Sequence, residues 1–265
     1  YVGFDALPYG SRPTEAVYKT SLLLLTKLAG GSFYMGDGAV AITLNNAFYA
    51  GVFEVTQDQW YQVMGTNPSR FNGTTMPVDH VSYYDVRENP DNTPIDPNWP
   101  ATGSVGANSF MGKLRAKTGI ATFDLPTEAQ WEYLCRAGTQ SFYNDGASTW
   151  ADANILGGLA WWGGVYVHNI GNSDGVSHPV GQKTPNAWGL YDTHGNVWEW
   201  CLDHPLATLV AATDPKGESS GANRLIRGAS WGSAPAEGCQ AAYRVPITPT
   251  LRSPDVSFRL VRTLP

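Results

Sequence analysis

Cysteine and histidine are the residue types in this sequence that most readily bind metals or act as nucleophiles. The chain has 265 residues and three cysteines, Cys135, Cys201 and Cys239. Three cysteines allow at most one disulfide, which leaves at least one free thiol. The five histidines are His80, His168, His178, His194 and His204.

The histidines are not spaced as catalytic or metal-binding histidines usually are. No two of them are four residues apart, the spacing that places two imidazoles on one face of a helix. No Ser, His and Asp set stands at a recognisable motif spacing, and no glycine-rich phosphate loop follows a predicted strand. The residues alone therefore predict no catalysis, and each histidine is expected to be structural or on the surface.

Composition excludes several classes of protein. Aromatic residues make up 12% of the chain, charged residues only 15%, and the net charge is −6. Lys and Arg are scattered, which argues against a nucleic-acid partner. The longest apolar run, Leu22–Leu25, is far too short to cross a bilayer. We expect one globular domain over residues 1–265, with no nucleic acid bound and no membrane span in this sequence.

Helices are predicted where capping residues precede an apolar face. Thr56 with Gln59 and Thr127 with Gln130 each form the pattern of a capping box, and the second helix should bury Trp131. A third helix is expected at 108–118. Alternating residues at 39–44 and 47–55, separated by two asparagines, predict a β-hairpin.

Eight short motifs together resemble the formylglycine-generating enzyme superfamily over residues 27–262. This resemblance implies an α+β protein with the C-type lectin fold of the formylglycine-generating enzyme subtype, with few regular elements and much ordered loop. The motifs are Gly30–Gly36, Glu54–Gln57, Met64–Phe71, Pro77–Asp85, Leu125–Tyr133, Trp188–Asp192, Gly195–Trp200 and Arg227–Trp231.

The enzymes of this superfamily use catalytic groups that this sequence lacks. Oxidases of the family bind copper through two cysteines five residues apart, and the matching positions are Ser233 and Gly238, with Cys239 adjacent. One thiol cannot supply the two thiolates that copper(I) needs. Sulfoxide synthases use three histidines and an additional N-terminal domain, which are missing here. We therefore expect no enzyme, and we expect Cys239 to pair with Cys201 in a disulfide.

The C-terminal part resembles the variable region of proteins that retroelements diversify. Residues 232–257 contain no Asn, Lys, Met or Trp. In such proteins, mutagenesis at template adenines converts Asn codons into a restricted set that excludes Lys, Glu, Gln, Met and Trp. Glu237 and Gln240 lie outside this set, and Ala229 stands where glycine is usual.

The resemblance implies a variable region at about 228–260, in which ligand-contacting positions alternate with constant ones. The predicted contact positions are Gly232, Ser233, Ala234, Ala236, Gly238, Val245, Ile247, Thr248, Thr250, Leu251, Ser253, Asp255 and Val256. The predicted scaffold positions are Trp231, Cys239, Tyr243, Arg244, Phe258 and Arg259.

The same resemblance implies structural calcium, although no cofactor is required for binding. Oxygen donors of this kind suit calcium. One set of positions is Asn154, Ile155, Asp174 and Val176, and a second is Asp192, Gly195, Val197 and Glu199.

The sequence thus predicts a non-enzymatic, surface-displayed binding protein. Its variable ligand is expected to be a protein on another cell or host surface, because the predicted contact positions are small or aliphatic. A lipid anchor upstream of Tyr1 is what the resemblance suggests. Two alternatives remain open: an oxidoreductase of the formylglycine-generating type with unrecognised chemistry, and a structural accessory domain of the same fold.

Overall fold

The computed structural model describes residues 2–3, 15–37, 40–88, 105–148, 152–163, 171–233 and 236–264. Its helices are α1 (Gln57–Met64), α2 (Tyr83–Val86), α3 (Phe110–Thr118), α4 (Glu128–Arg136) and α5 (Ala153–Leu159), with short 3-10 turns at Ala16–Lys19 and Ala236–Cys239. Its strands are β1 (Val2–Gly3), β2 (Leu24–Leu28), β3 (Gly31–Met35), β4 (Val40–Leu44), β5 (Phe48–Gly51), β6 (Phe123–Asp124), β7 (Trp198–Trp200), β8 (Ala212–Thr213), β9 (Arg224–Arg227), β10 (Arg244–Ile247), β11 (Val256–Ser257) and β12 (Val261–Thr263).

The described strands form three small sheets joined by long ordered loops. The first sheet has the order β1-β2-β5-β12-β6, so the last strand lies in its interior. The second has the order β10-β9-β7-β11 and contains both ends of the predicted variable region. The third pairs β3, β4 and β8. Within the described residues, no helix has the length and apolar character needed to span a bilayer.

The predicted hairpin is wrong, although both of its strands form. β4 pairs with β3 and β8, whereas β5 pairs with β2 and β12 in a different sheet. The two asparagines between them therefore mark a crossing from one sheet to the next. Tertiary burial decides the pairing, because Phe48 and Ala50 of β5 are completely buried in the core.

The predicted helices are confirmed with their caps. In α1 and α4, both hydrogen bonds of the capping box form, and Gly65 ends α1 in the left-handed conformation. The third predicted helix is α3, capped by Ser109. All nine residues of α4 are buried, so this helix passes through the interior of the protein.

The predicted Cys201–Cys239 disulfide is wrong, because all three cysteines are free and buried. Cys201 packs with Cys135, Trp131 and other apolar residues, whereas Cys239 belongs to a separate apolar cluster that includes Tyr143. Burial raises the pKa of all three thiols, that of Cys135 to about 12. These cysteines act as small apolar core residues.

Two fully buried arginines hold the ends of the predicted variable region. Arg227, at the end of β9, pairs through Nη2 with Glu132 of α4 and donates to the carbonyls of Ala241, Ala242 and Tyr243 at 2.8, 2.9 and 2.9 Å. It therefore fixes both the start of the region and the approach to β10.

At the other end of the region, Arg259 pairs with Glu199 of β7 at 2.7 Å. The same guanidinium donates to the carbonyls of Gly51 and Tyr191, each at 2.8 Å. Arg259 thus connects the chain just before β12 to the first sheet and to the loop that precedes β7.

Two further arginines anchor the segment between these ends. Arg244 makes a bidentate pair with Glu128 of α4, with both distances 2.7 Å. Arg252 makes a bidentate pair with Asp85 of α2, with both distances 2.8 Å. Four arginines from the C-terminal part of the chain therefore each bind a carboxylate on an element outside residues 228–260.

We predict that Glu132→Gln destabilises the protein by about 3 kcal/mol or more, because it leaves the buried Arg227 without its main counter-charge. The matched control is Arg252→Ala. This arginine belongs to a bidentate pair with Asp85, but its side chain is 51% exposed, so the loss should be about 0–1 kcal/mol. Chemical denaturation measures both free energies of unfolding. Equal losses in the two variants would contradict the assignment of the buried pair as the main anchor.

Candidate functional site

The predicted variable region begins in strained backbone directly after β9. Gly228 has φ +91°, and a Cβ there would lie 3.0 Å from the ring of Trp131. Ala229 is buried and also left-handed, with φ +67°. An alanine in this conformation costs about 1 kcal/mol or more, which is why glycine suits the position. The turn directs the following residues out of the core towards the surface.

The first block of predicted contact residues is tied to the last by a hydrogen-bonded serine. Ser230 accepts from the backbone N–H of Gly232 at 3.2 Å, and its own N–H donates to Ser233 Oγ at 2.9 Å. The Ser230 hydroxyl donates to Asp255 at 3.0 Å. Trp231 Nε1 donates to the carbonyl of Pro254 at 3.2 Å. Residues 230–233 and 254–255 therefore lie side by side.

The second block, residues 245–255, is held by backbone contacts with the segment that enters α2. The N–H of His80 donates to the carbonyl of Ser253 at 2.9 Å, and the N–H of Tyr83 donates to that of Pro249 at 3.1 Å. The Asp85–Arg252 pair adds a third attachment. The backbone of this block is thus fixed without using the side chains of most predicted contact positions.

Most of the predicted contact positions reach the surface. Thr248 and Thr250 are exposed, and eight more are half-buried: Gly232, Ser233, Gly238, Val245, Ile247, Leu251, Ser253 and Asp255. We call these ten positions the variable surface. Ala234 lies outside the described residues.

Two predicted contact positions are corrected by the structure. Val256 is 1% exposed, because it pairs with Trp198 as part of β11 and packs in the main core. Ala236 is 7% exposed and packs in the cluster that contains Tyr143. Neither side chain can contact a ligand in this conformation, so the adjustable positions stop one residue before β11.

Four of the six predicted scaffold positions are buried, and two are not. Trp231, Cys239, Phe258 and Arg259 are buried.

The departures are Arg244, which is half-buried, and Tyr243, which is 45% exposed with its ring centroid 6.2 Å from that of Trp198. Tyr243 therefore adds an aromatic contact beside the variable surface. The motif that contains Tyr243 does not reveal its exposure, because a motif does not distinguish a constant residue that packs from one that faces outward.

The two positions that match the copper-binding cysteines lie next to each other. A Cβ built on Gly238 would lie 4.0 Å from the Cβ of Ser233. Cysteine pairs that form disulfides have Cβ atoms about 3.5–4.5 Å apart. The backbone thus keeps the spacing of a paired-thiol site, although neither residue carries a thiol. The neighbouring Cys239 is buried, and its raised pKa makes it a poor thiolate.

The histidines in the described part of the chain have structural roles. His194 donates from Nδ1 to the carbonyl of Cys239 at 2.8 Å and accepts at Nε2 from the N–H of Asn144 at 3.1 Å. Burial lowers the pKa of His194 to about 4, so the ring is neutral. His178 stacks on Trp161 with ring centroids 3.7 Å apart. His168 lies outside the described residues.

The second predicted calcium set surrounds an unsatisfied buried carboxylate. Asp192 accepts from the N–H of Gly181 at 2.6 Å through Oδ2, but its Oδ1 has no partner in the described part of the chain. Burial raises the pKa of Asp192 to about 6, and Glu199 and Asp192 help to raise that of the buried Glu54 well above its usual range. The unpartnered Oδ1 of Asp192 suits a cation, although Arg259 and the half-buried Lys19 already supply positive charge beside it.

Two members of this set, Asp192 and Gly195, have left-handed backbone, with φ of 55° and 73°. Val197, in the same set, is completely buried. In the first predicted set, Asn154 and Asp174 are exposed, and Ile155 and Val176 are half-buried. Among the residues described, no group of three or more His, Cys, Asp or Glu side chains is arranged to hold a metal by itself, so backbone carbonyls would have to contribute.

Comparison with known proteins gives relatives of several kinds. A chaperone protein LppX from Paenibacillus barcinonensis is 30% identical over 278 residues, which cover 90% of this chain and 89% of the relative. The formylglycine-generating enzyme of Streptomyces coelicolor is 36% identical over 146 residues, which cover 51% of this chain and 45% of the enzyme. Among solved structures, Treponema denticola variable protein 1 superposes with a TM-score of 0.72 at 27% identity, covering 90% of this chain and 94% of that protein.

The family itself follows from a match that extends over nearly the whole chain. The family model described as a sulfatase-modifying factor enzyme 1-like domain covers residues 15–264. The mixed α+β architecture with few regular elements agrees with this match. The chain therefore belongs to the formylglycine-generating enzyme family and has the C-type lectin fold of that subtype.

Proposed function

We propose that this chain is a non-enzymatic binding protein that recognises its ligand through the variable surface. The main support is that, in residues 228–260, the groups that hold the backbone are mostly different from the side chains that reach the surface. The backbone is held by buried arginines and inter-segment hydrogen bonds, while ten predicted contact positions remain at least partly exposed. Substitution at these positions should change the surface and leave the arginine anchors in place, although Ser233 and Asp255 also bond to Ser230.

The likeness to a variable protein supports diversification of this surface by a retroelement. Treponema denticola variable protein 1 shares the fold over 90% of this chain. The described part of 232–257 is stiffened by Pro246, Pro249 and Pro254. A stiff surface loses less conformational entropy when it binds, which suits a site that must work with many sequences. The ligand we favour is a protein, because the half-buried Val245, Ile247 and Leu251 add apolar area to the surface while packing on the core.

The absence of a thiol at Ser233 and at Gly238 supports the non-enzymatic interpretation. The alternative of an oxidoreductase would need chemistry that uses neither position. A second candidate function is that of an accessory chaperone. It is favoured by the 30% identity to the LppX chaperone over 90% of this chain. Display at the cell surface through a lipid anchor upstream of Tyr1 remains part of the proposal for the receptor role.

Sequencing of the gene across a cultured population of its host tests the receptor role. We expect codon variation at positions of the variable surface such as Thr248, Thr250 and Ser253. Codons 236 and 256 should be constant, because their side chains are buried. A uniform sequence over 232–256 would contradict diversification and favour the chaperone candidate.

Two variants test whether the fold tolerates substitutions on the variable surface. Thr250→Asp should leave the free energy of unfolding within about 0.5 kcal/mol, since Thr250 is exposed. Val256→Asp places a carboxylate in the core only six residues away and should destabilise the protein by several kcal/mol. Thermal denaturation distinguishes them, and comparable losses would show that the fold is not insulated from the variable surface.

A double substitution tests the residual paired-thiol geometry. Ser233→Cys with Gly238→Cys should create a copper(I) site of one ion per chain, because the two Cβ atoms would be 4.0 Å apart. Competition with a chromophoric copper(I) chelator measures it, and Ser233→Cys alone is the control. Oxygen consumption by the unmodified chain with copper and a cysteine-containing peptide would instead support the oxidoreductase alternative.

We further propose calcium at the second set, held by Asp192 and backbone carbonyls, since both carboxylate oxygens of Glu199 already accept from Arg259 and Trp131. The pKa of Asp192 is raised to about 6 from 3.8, so the calcium-free folded protein loses stability as pH rises through that window. Calcium would neutralise the ionised carboxylate.

Added calcium should therefore raise the melting temperature more at neutral pH than below pH 6, the approximate pKa of Asp192. Asp192→Asn should abolish the effect, whereas Asp174→Asn, in the first set, should not. No calcium effect in the unmodified protein, or the reverse pattern in the variants, would contradict this assignment.

A further inference from the structure

A polar cleft lies between α1 and the loop that follows it. Its volume is about 350 Å³, at the small end of the range found for ligand pockets. The side chains that line it are Gln57, Asp58, Tyr61, Asn67, Asn72 and Thr74. None of them belongs to the variable surface.

The floor of the cleft is rigid because Gln57 uses its whole amide group. Its Nε2 donates to the carbonyl of Phe71 at 2.5 Å and more distantly to that of Pro77 at 3.3 Å. Its Oε1 accepts from Asn67 Nδ2 at 2.9 Å and from the N–H of Gly73 at 3.1 Å. Gln57 is 3% exposed, so this network shapes the cleft before any ligand enters.

The rim carries polar groups that are not committed to the protein. The side chains of Asn72 and Thr74 are exposed and make no hydrogen bond within the described residues. Asp58 uses one carboxylate oxygen to accept from Gln62 at 3.1 Å, which leaves the other oxygen available. The rim thus offers an amide, a hydroxyl and a carboxylate oxygen, a mixture of donors and acceptors.

The remaining wall is an exposed aromatic ring. Tyr61 is 56% exposed, a large fraction for an aromatic side chain. It lies on α1 one turn after Gln57 and borders the cleft. A free aromatic face beside polar groups can stack on one side of a ligand while the polar groups bind its edge.

The chemistry of the lining selects the class of ligand. No Lys or Arg lines the cleft, which disfavours phosphates, sulfates and carboxylates. Apart from Tyr61 the lining is polar, which disfavours lipids. A neutral ring with hydroxyl groups on its edge and C–H groups on its face satisfies both features. We propose that this cleft binds a neutral pyranose sugar, stacked on Tyr61 and hydrogen-bonded to Asn72, Thr74 and Asp58.

Saturation-transfer NMR of the full chain with glucose, galactose, mannose and N-acetylglucosamine tests the proposal. At least one sugar should receive saturation at millimolar concentration. Tyr61→Ala should weaken its binding by at least about tenfold through loss of the stacking surface. Asn72→Ala, as a separate variant, should also weaken the binding of the sugar. Tyr34→Ala is the matched control, because Tyr34 is 53% exposed on β3, outside the cleft, and its loss should change nothing.

Several outcomes would overturn the proposal. These are the absence of saturation transfer to every sugar, equal losses in Tyr61→Ala and Tyr34→Ala, and stronger competition by a short asparagine-containing peptide than by the sugars. Binding should survive chelation of calcium, since the cleft contains a single carboxylate; its loss would place the sugar at a calcium site instead. Substitutions at Thr248 and Thr250 should leave sugar binding unchanged, so this test is independent of the proposed receptor function.

Discussion

The ion pair between Arg227 and Glu132 is the contact on which the C-terminal architecture depends. Both groups are buried, and the arginine also donates hydrogen bonds to the three carbonyls of residues 241–243. One guanidinium therefore holds the end of β9, the middle of α4 and the approach to β10 together. A charge removed from water must keep all of these partners, because a buried charge without a counter-charge is strongly destabilising. This requirement makes the position of the strands insensitive to the sequence of the loop between them.

The same principle explains how a long irregular segment can have a defined shape. Residues 245–255 contribute β10 at one end and little regular structure thereafter. They are placed by Arg244, by Arg252 and by carbonyls that accept from His80 and Tyr83. Each attachment uses the backbone or an arginine. Ser233 and Asp255 add hydrogen bonds with Ser230, whereas the side chains of Thr248 and Thr250 are exposed and take no part in these attachments.

Local sequence patterns predicted the helices correctly, but they could not predict which distant strands pair with each other. The capping boxes at Thr56 and Thr127 each join two residues only three apart in the sequence, so the sequence alone reveals them. The prediction of a hairpin was wrong because burial against distant strands decides the partners of β4 and β5. The disulfide failed because spacing along the chain does not reveal that Cys201 and Cys239 pack in separate clusters. Motif matching located the candidate surface, but the outward direction of Tyr243 and the burial of Val256 required coordinates.

The three buried free thiols have a consequence for where this protein can mature. No disulfide has to form for these cysteines to reach their places in the core, since each fills apolar space as a reduced side chain. Folding is then independent of oxidants and of isomerases that reshuffle disulfides. The structure described for these cysteines therefore requires reduced thiols in the core and no oxidant at any step.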